Sequence, residues 1–103
     1  MSKYDEEIKR IVTKAKLLNS EIEEIEGVFI ISLSDSEHML LIPSKITNAF
    51  KCNRYLRKLR GNIKVIGGEG LESANNLFSY TIFNVIDFSK FDTSHVTSMH
   101  HMF

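Results

Sequence analysis

The sequence predicts an α+β fold in which an N-terminal helix and a β-hairpin cap a short strand/helix tail. Three observations carry this expectation: a helical apolar period near the N-terminus, two β-branched runs split by a polar turn, and an internal repeat in the last third. With 103 residues, 43% hydrophobic and 10% aromatic, the chain is long enough for one core and short for two. It reads as a single domain over residues 1–103, with a helix/hairpin/helix cap region at 1–61 and two repeat units at 62–103.

Across residues 2–19, Tyr4, Ile8, Ile11, Val12, Ala15 and Leu18 recur at spacings of three and four, which predicts an amphipathic helix. Ser2 with Asp5 resembles a capping pair, and Asp5, Glu6 and Glu7 suit the positive end of the helix dipole. Residues 21–26 are expected to extend this helix or form a short second one, ended by Gly27. Next, Val28-Phe29-Ile30-Ile31-Ser32-Leu33 and His38-Met39-Leu40-Leu41-Ile42 flank the turn-rich Ser34-Asp35-Ser36-Glu37 and predict a β-hairpin. Pro43 stops its second strand. Residues 47–60 then predict a helix with Phe50, Leu56 and Leu59 inward, closed by Gly61-Asn62.

The repeat is the most specific signal. Leu71-Glu72-Ser73-Ala74-Asn75-Asn76-Leu77-Phe78 aligns with Val96-Thr97-Ser98-Met99-His100-His101-Met102-Phe103 at an offset of 25 residues. Ahead of these copies, Ile63-Lys64-Val65 takes the place of Ile86-Asp87-Phe88 at an offset of 23. Phe83, Ile86, Phe88 and Phe91 have the apolar spacing of a leucine-rich-repeat strand and turn, and the period lies in that class's range. Each unit is therefore expected to give a strand, a turn and a short helix that buries its apolar side against the next. Asp92-Thr93-Ser94 supplies side-chain oxygens for a helix start before Val96, and Gly67-Gly68-Glu69-Gly70 reads as a turn.

The stretch Ile86-Asp87-Phe88-Ser89-Lys90-Phe91-Asp92-Thr93-Ser94, followed by Met99-x-x-Met102-Phe103, resembles the BspA-like leucine-rich repeat surface proteins of bacteria. The resemblance covers roughly the last forty residues and implies a leucine-rich-repeat-like solenoid and protein binding of the adhesion type. The N-terminal region would then cap one end, with a partner or a second copy over the other.

Charge narrows the function classes. Thirteen basic and thirteen acidic side chains balance to a net charge of zero, which disfavours binding to nucleic acid or anionic membrane through overall charge. Lys51, Arg54, Arg57, Lys58 and Arg60 nevertheless form a cationic run, read first as a solvated face paired with the acidic N-terminal third and otherwise as a site for nucleic acid or an acidic partner, with nucleic acid not favoured. The single cysteine, Cys52, excludes an intrachain disulfide and reads as a buried thiol. His95, His100 and His101 are spaced too irregularly for ligands on one helical face, so no metal is expected. With no phosphate-binding loop, nucleophile elbow or zinc-protease motif, neither catalytic residues nor a cofactor are expected.

The functional expectation is a non-catalytic protein-binding module. Its contacts are assigned to Lys51, Arg54, Arg57, Lys58, Arg60, Asp87, Ser89 and Lys90, and its apolar C-terminal end favours a homo-oligomer. The alternative is a small phage- or mobile-element-type regulator that inhibits a nucleic-acid-handling enzyme. The charged N-terminus, with no signal or anchor pattern, reads as cytoplasmic, or as surface-located if the chain is a fragment of a longer family member.

Overall fold

The computed structural model describes residues 3–103, so the capping role read for Ser2 lies outside the described residues. Helix α1 (Asp5–Leu17) buries Ile8, Val12 and Ala15 along one stripe, with acids in its first turn and Lys14 and Lys16 in its last. It stops where Asn19 turns left-handed at φ 55°, and Asn19 and Ser20 donate back to the Lys16 and Ala15 carbonyls at 3.2 and 2.9 Å. Those two bonds form a Schellman closure.

The helix therefore does not extend over residues 21–26, correcting that expectation. β1 (Glu21–Ile25) is a strand antiparallel to β2 (Val28–Ser32), joined by the two-residue loop Glu26-Gly27. Both loop residues have positive φ, 48° and 86°, as a type I′ turn demands. Ile22 and Ile25, three apart, then fall on opposite faces of the sheet. β2 pairs antiparallel with β3 (Glu37–Ile42), which is the hairpin read from the sequence.

Beyond β3 the chain runs parallel. β4 (Arg60–Gly67) pairs with β3, and β5 (Ile82–Phe91) pairs with β4, in the order β1-β2-β3-β4-β5. The protein is thus an α+β domain with one N-terminal helix, a short second helix and a five-stranded mixed sheet. On one face of the sheet, Ile31, Leu41 and Ile66 meet α1. On the other, Ile30, Leu40, Ile63 and Val65 meet Leu56, Leu71, Leu77 and Phe78 from the turns that close each strand. β2 covers the edge of β3, whereas α1 lies across a face. The helix is moored there by the Glu69 carboxylate, which accepts the Lys3 and Tyr4 N–H groups, and by Asp5, which accepts the Ser44 N–H and hydroxyl.

The repeat offset appears directly in the pairing. Ser73 bridges Ser98 in parallel at 25 residues, and Ile63 faces Ile86 at 23. The register shifts between Lys64 and Ile66, so that Ile66 faces Lys90, and the remaining residue of the difference enters the following turn. Asn48 also bridges Ser73, so parallel stacking already includes β3 and the turn after it, within the stretch read as cap region.

Two helical expectations are corrected. Over residues 47–60 only a 3-10 turn, Phe50–Cys52, and the four-residue α2 (Asn53–Leu56) form, because the chain must return to start β4 at Arg60. Phe50 is 52% exposed rather than inward, although Leu56 is buried as expected. Gly61 lies inside β4 rather than closing a helix.

No short helix follows either repeat strand; residues 68–81 and 92–103 are turns. Their N–H groups bond between units instead of along a helix: Thr97 to Glu72 O, Ala74 to Ser98 O, Asn76 to His100 O and Phe78 to Met102 O, at 2.7–3.1 Å. Asp92 caps a turn by accepting the Ser94 N–H, and the Val96 N–H returns to Thr93.

Candidate interaction surfaces

The cationic run lies on the turn side of the sheet, because Cys52 and Leu56 anchor it to the core beneath. Lys51 pairs with Glu26 at 3.0 Å, an exposed ion pair. Arg57 donates to the Ser79 carbonyl at 3.3 Å and lies 5.0 Å from the Tyr80 ring centre, and Lys58 lies 6.0 Å from that of Tyr55. Phe50, Lys51, Asn53, Arg54 and Arg57 line an open concavity of about 490 Å³. The exposed Phe50 ring among three cationic side chains suits an acidic, partly apolar segment.

Asp87, Ser89 and Lys90 lie elsewhere. Ile86 and Phe88 pack into the turn-side core, which directs Asp87 to the opposite face, beside Lys64 of β4. The Asp87 carboxylate accepts the Ser89 N–H at 2.8 Å, and this bond, assisted by the Ser89 side chain and by the charges of Lys64 and Lys90, holds its pKa low. Lys90 pairs with Glu7 of α1 at 2.6 Å. The eight residues singled out in the sequence therefore do not form one surface: Lys51, Arg54 and Arg57 line the turn-side concavity, Lys58 and Arg60 line a second hollow with Glu21, Asp35 and His38, and Asp87 and Lys90, with Ser89 between them, lie toward the helix face of the sheet.

Two residues that the sequence did not single out, His38 and Asn53, prove structurally central. His38 is buried and edge-on to Phe83; its Nε2 faces the Arg60 carbonyl at 3.0 Å and its Nδ1 faces the Ser32 hydroxyl at 2.7 Å. A carbonyl only accepts, so Nε2 carries a hydrogen toward Arg60, and the Ser32 hydroxyl, able to donate or accept, satisfies Nδ1. This relay ties β2, β3 and β4 together inside the core. Its sequence signal was faint, a Ser and a His six apart across a polar turn. Asn53 is also buried, and its amide donates to the carbonyls of Leu77 and Ser79 at 3.0 and 2.9 Å. Burial, reinforced by the charge of Glu26, pushes the Cys52 thiol up to about 11, so it is protonated at neutral pH.

Among the described residues no group of three or more His, Cys, Asp or Glu is placed to hold a metal ion, and no helix is long and apolar enough to cross a membrane. The end of the sheet at β5 carries an aromatic cluster: Phe88 lies 5.8 Å from both Phe78 and Phe103, and Phe78 stacks on Phe103 at 6.2 Å with 16° between planes. Compared with protein-family models, curated proteins and solved structures, the chain matches none.

Proposed function

We propose that this chain is a non-catalytic protein-binding module built as a short leucine-rich-repeat-like stack, comparable with a shortened bacterial adhesion or surface protein. One observation carries the reading. Three successive strands run parallel while their turns stack at a 25-residue period, which sets outward side chains at regular spacing on one face of the sheet. α1 occupies part of that face, over Ile31, Leu41 and Ile66. Lys64, Val85, Asp87 and Ser89 lie beyond the helix's apolar stripe, a mixed polar and apolar surface of the kind that protein interfaces use. The Phe50 concavity on the other side of the sheet is a second contact region.

Capture with the tagged chain and two surface variants tests this. One variant carries Val85→Arg with Ser89→Arg on the strand face; the other carries Arg54→Glu, Arg57→Glu and Lys58→Glu on the turn side. The expected result is a nuclease-resistant protein partner that the strand-face variant loses while melting like the parent. Partners retained by both variants, or captured only through nucleic acid, would overturn the assignment.

A further inference from the structure

The outward side of α1 combines a band of cations with an apolar tip, and packing against the sheet explains neither. From Lys9 to Leu18 every exposed position is a cation, a leucine or Thr13, and the helix's acids, Asp5, Glu6 and Glu7, are confined to its first turn. Lys9, Arg10, Lys14 and Lys16 make no ion pair among the described residues. At about 100° per residue, Lys9 and Lys16 lie to one side of Leu17 and Arg10 and Lys14 to the other, so Leu17 stands in the middle of the band. Of the acids outside the helix, Asp35 lines the hollow beside His38, and Glu37 accepts from the Asn62 amide at 3.2 Å. Glu24 stands across a groove from Lys9 and Lys16 and pairs with neither.

The apolar tip lies where the helix ends. Leu17 and Leu18 are 79% and 66% exposed, and Leu33, just after β2, is 60% exposed. Leu18 and Leu33 line one hollow of about 340 Å³ between α1 and the sheet, together with Ile11, Ile31 and Met39, and Lys14 is the only charged residue on its walls. Grouped in this way, the leucines make a continuous apolar patch rather than scattered single side chains, and such patches mark interaction sites.

We propose that this side of α1 docks on a bilayer surface rich in anionic lipid, with the four cations meeting headgroup phosphates and Leu17, Leu18 and Leu33 entering the acyl boundary. A net charge of zero does not oppose this, because attraction to a charged surface acts within about 8 Å at physiological salt and the side nearest the lipid is cationic. Two other polyanions fit less well. A nucleic acid finds no aromatic ring to stack on among residues 9–18. An acidic protein segment needs a matched recess, whereas these leucines protrude from the end of a convex helix, and a fluid apolar layer needs no matched shape. The hollow beside Lys14 has the polarity of a lipid chain next to its headgroup. None of the residues assigned above to partner binding takes part, so this inference goes beyond that reading.

Co-sedimentation of the full chain with vesicles tests this, using phosphatidylcholine alone and phosphatidylcholine with about a third phosphatidylglycerol. The parent is expected to pellet with the anionic vesicles and to stay in solution with the neutral ones. Lys14→Gln with Lys16→Gln, and separately Leu17→Gln with Leu18→Gln, should each raise the dissociation constant about tenfold or more while melting like the parent. A parent that stays in solution with anionic vesicles would overturn the proposal. So would a leucine variant that binds as the parent does, or full release from the vesicles by polyglutamate or duplex DNA matched to the lipid in negative charge. The helix would then read charge alone, and an acidic protein or a nucleic acid would be its occupant. The assay contains no protein partner, so its failure leaves the strand-face reading standing.

Discussion

Two buried side chains on one short stretch illustrate opposite ways of satisfying a core. Cys52 is held as a neutral thiol by burial and by the nearby negative charge of Glu26. A folded value raised from 9.0 to about 11 means that the stabilising contribution is complete below pH 9 and is lost as the pH rises through 11, because the unfolded chain releases its proton first. Stability should therefore decline across that window and decline less in Cys52→Ala, as urea midpoints at pH 8 and pH 10.5 will show. Tyr55 is raised in the same direction and contributes to the decline that remains. The same burial predicts that a thiol reagent reacts slowly with the native chain and rapidly once urea unfolds it. Asn53 is satisfied by hydrogen bonds instead. Asn53→Ala strands the Leu77 carbonyl in the core and leaves the Ser79 carbonyl only its Arg57 bond, and a loss of about 1–3 kcal/mol in a urea titration is expected. Leucine at this position restores volume without donors and should rescue little.

At the scale of single elements, the loop Glu26-Gly27 decides that residues 21–25 form a strand. Gly27 sits at φ 86°, and an added Cβ would approach the Ile46 Cδ1 atom to 3.0 Å, so Gly27→Ala is expected to cost about 1–2 kcal/mol of stability. A midpoint within experimental error of the parent would show that the turn tolerates the substitution. This strand was illegible in the sequence because Ile22 and Ile25 stand three apart, a helical spacing, whereas here they serve two opposite cores. The α1 stripe was legible by its helical period, and the β2–β3 hairpin by two continuous apolar runs, buried on both faces, that flank a polar turn. The repeat was legible as an alignment but not as conformation: Ser73 and Ser98 stack as read, yet their turns spend N–H groups between units and so leave no helix. The candidate surface was only half legible for a related reason. Asp87 and Lys90 were visible as charges, but the register shift that sets Asp87 beside Lys64 and Lys90 beside Ile66 depends on pairing across strands. That irregularity is braced by Asp87, and Asp92 braces the next turn in the same way. Both carboxylates are held below their ordinary pKa, chiefly by bonds to Ser89 and Ser94. Their contribution is present above the ordinary aspartate value and lost as the pH falls through the lowered ones. Replacing both with Asn keeps the accepting oxygen and removes the titration, so the acid limb of a melting-temperature profile should flatten below about pH 4.

Across the whole molecule, protection is graded from the centre of the sheet to its β5 end. β3 and β4 each have a strand on both sides, and Leu40, Leu41, Ile42, Ile63, Val65 and Ile66 are essentially inaccessible to water. β2 shares that shelter through Ile30 and Ile31, with β1 beside it and α1 above. β5 has one neighbour, no fully buried residue, and a Lys90 that pairs with Glu7 of the helix. Opening β5 and its turn exposes little of the α1 core, whereas opening β3 dismantles both cores at once. Native-state amide exchange should therefore resolve two levels, with β5 and residues 92–103 exchanging through a low-energy local opening and β3 and β4 only through global unfolding. Ile8→Ala, which empties part of the α1 core, should lower the β3 and β4 level by about 2–4 kcal/mol and leave the β5 opening nearly unchanged. Equal shifts at both levels would mean that the stack opens as one cooperative unit, with β5 drawing its stability from the helix side of the sheet rather than from the turns behind it.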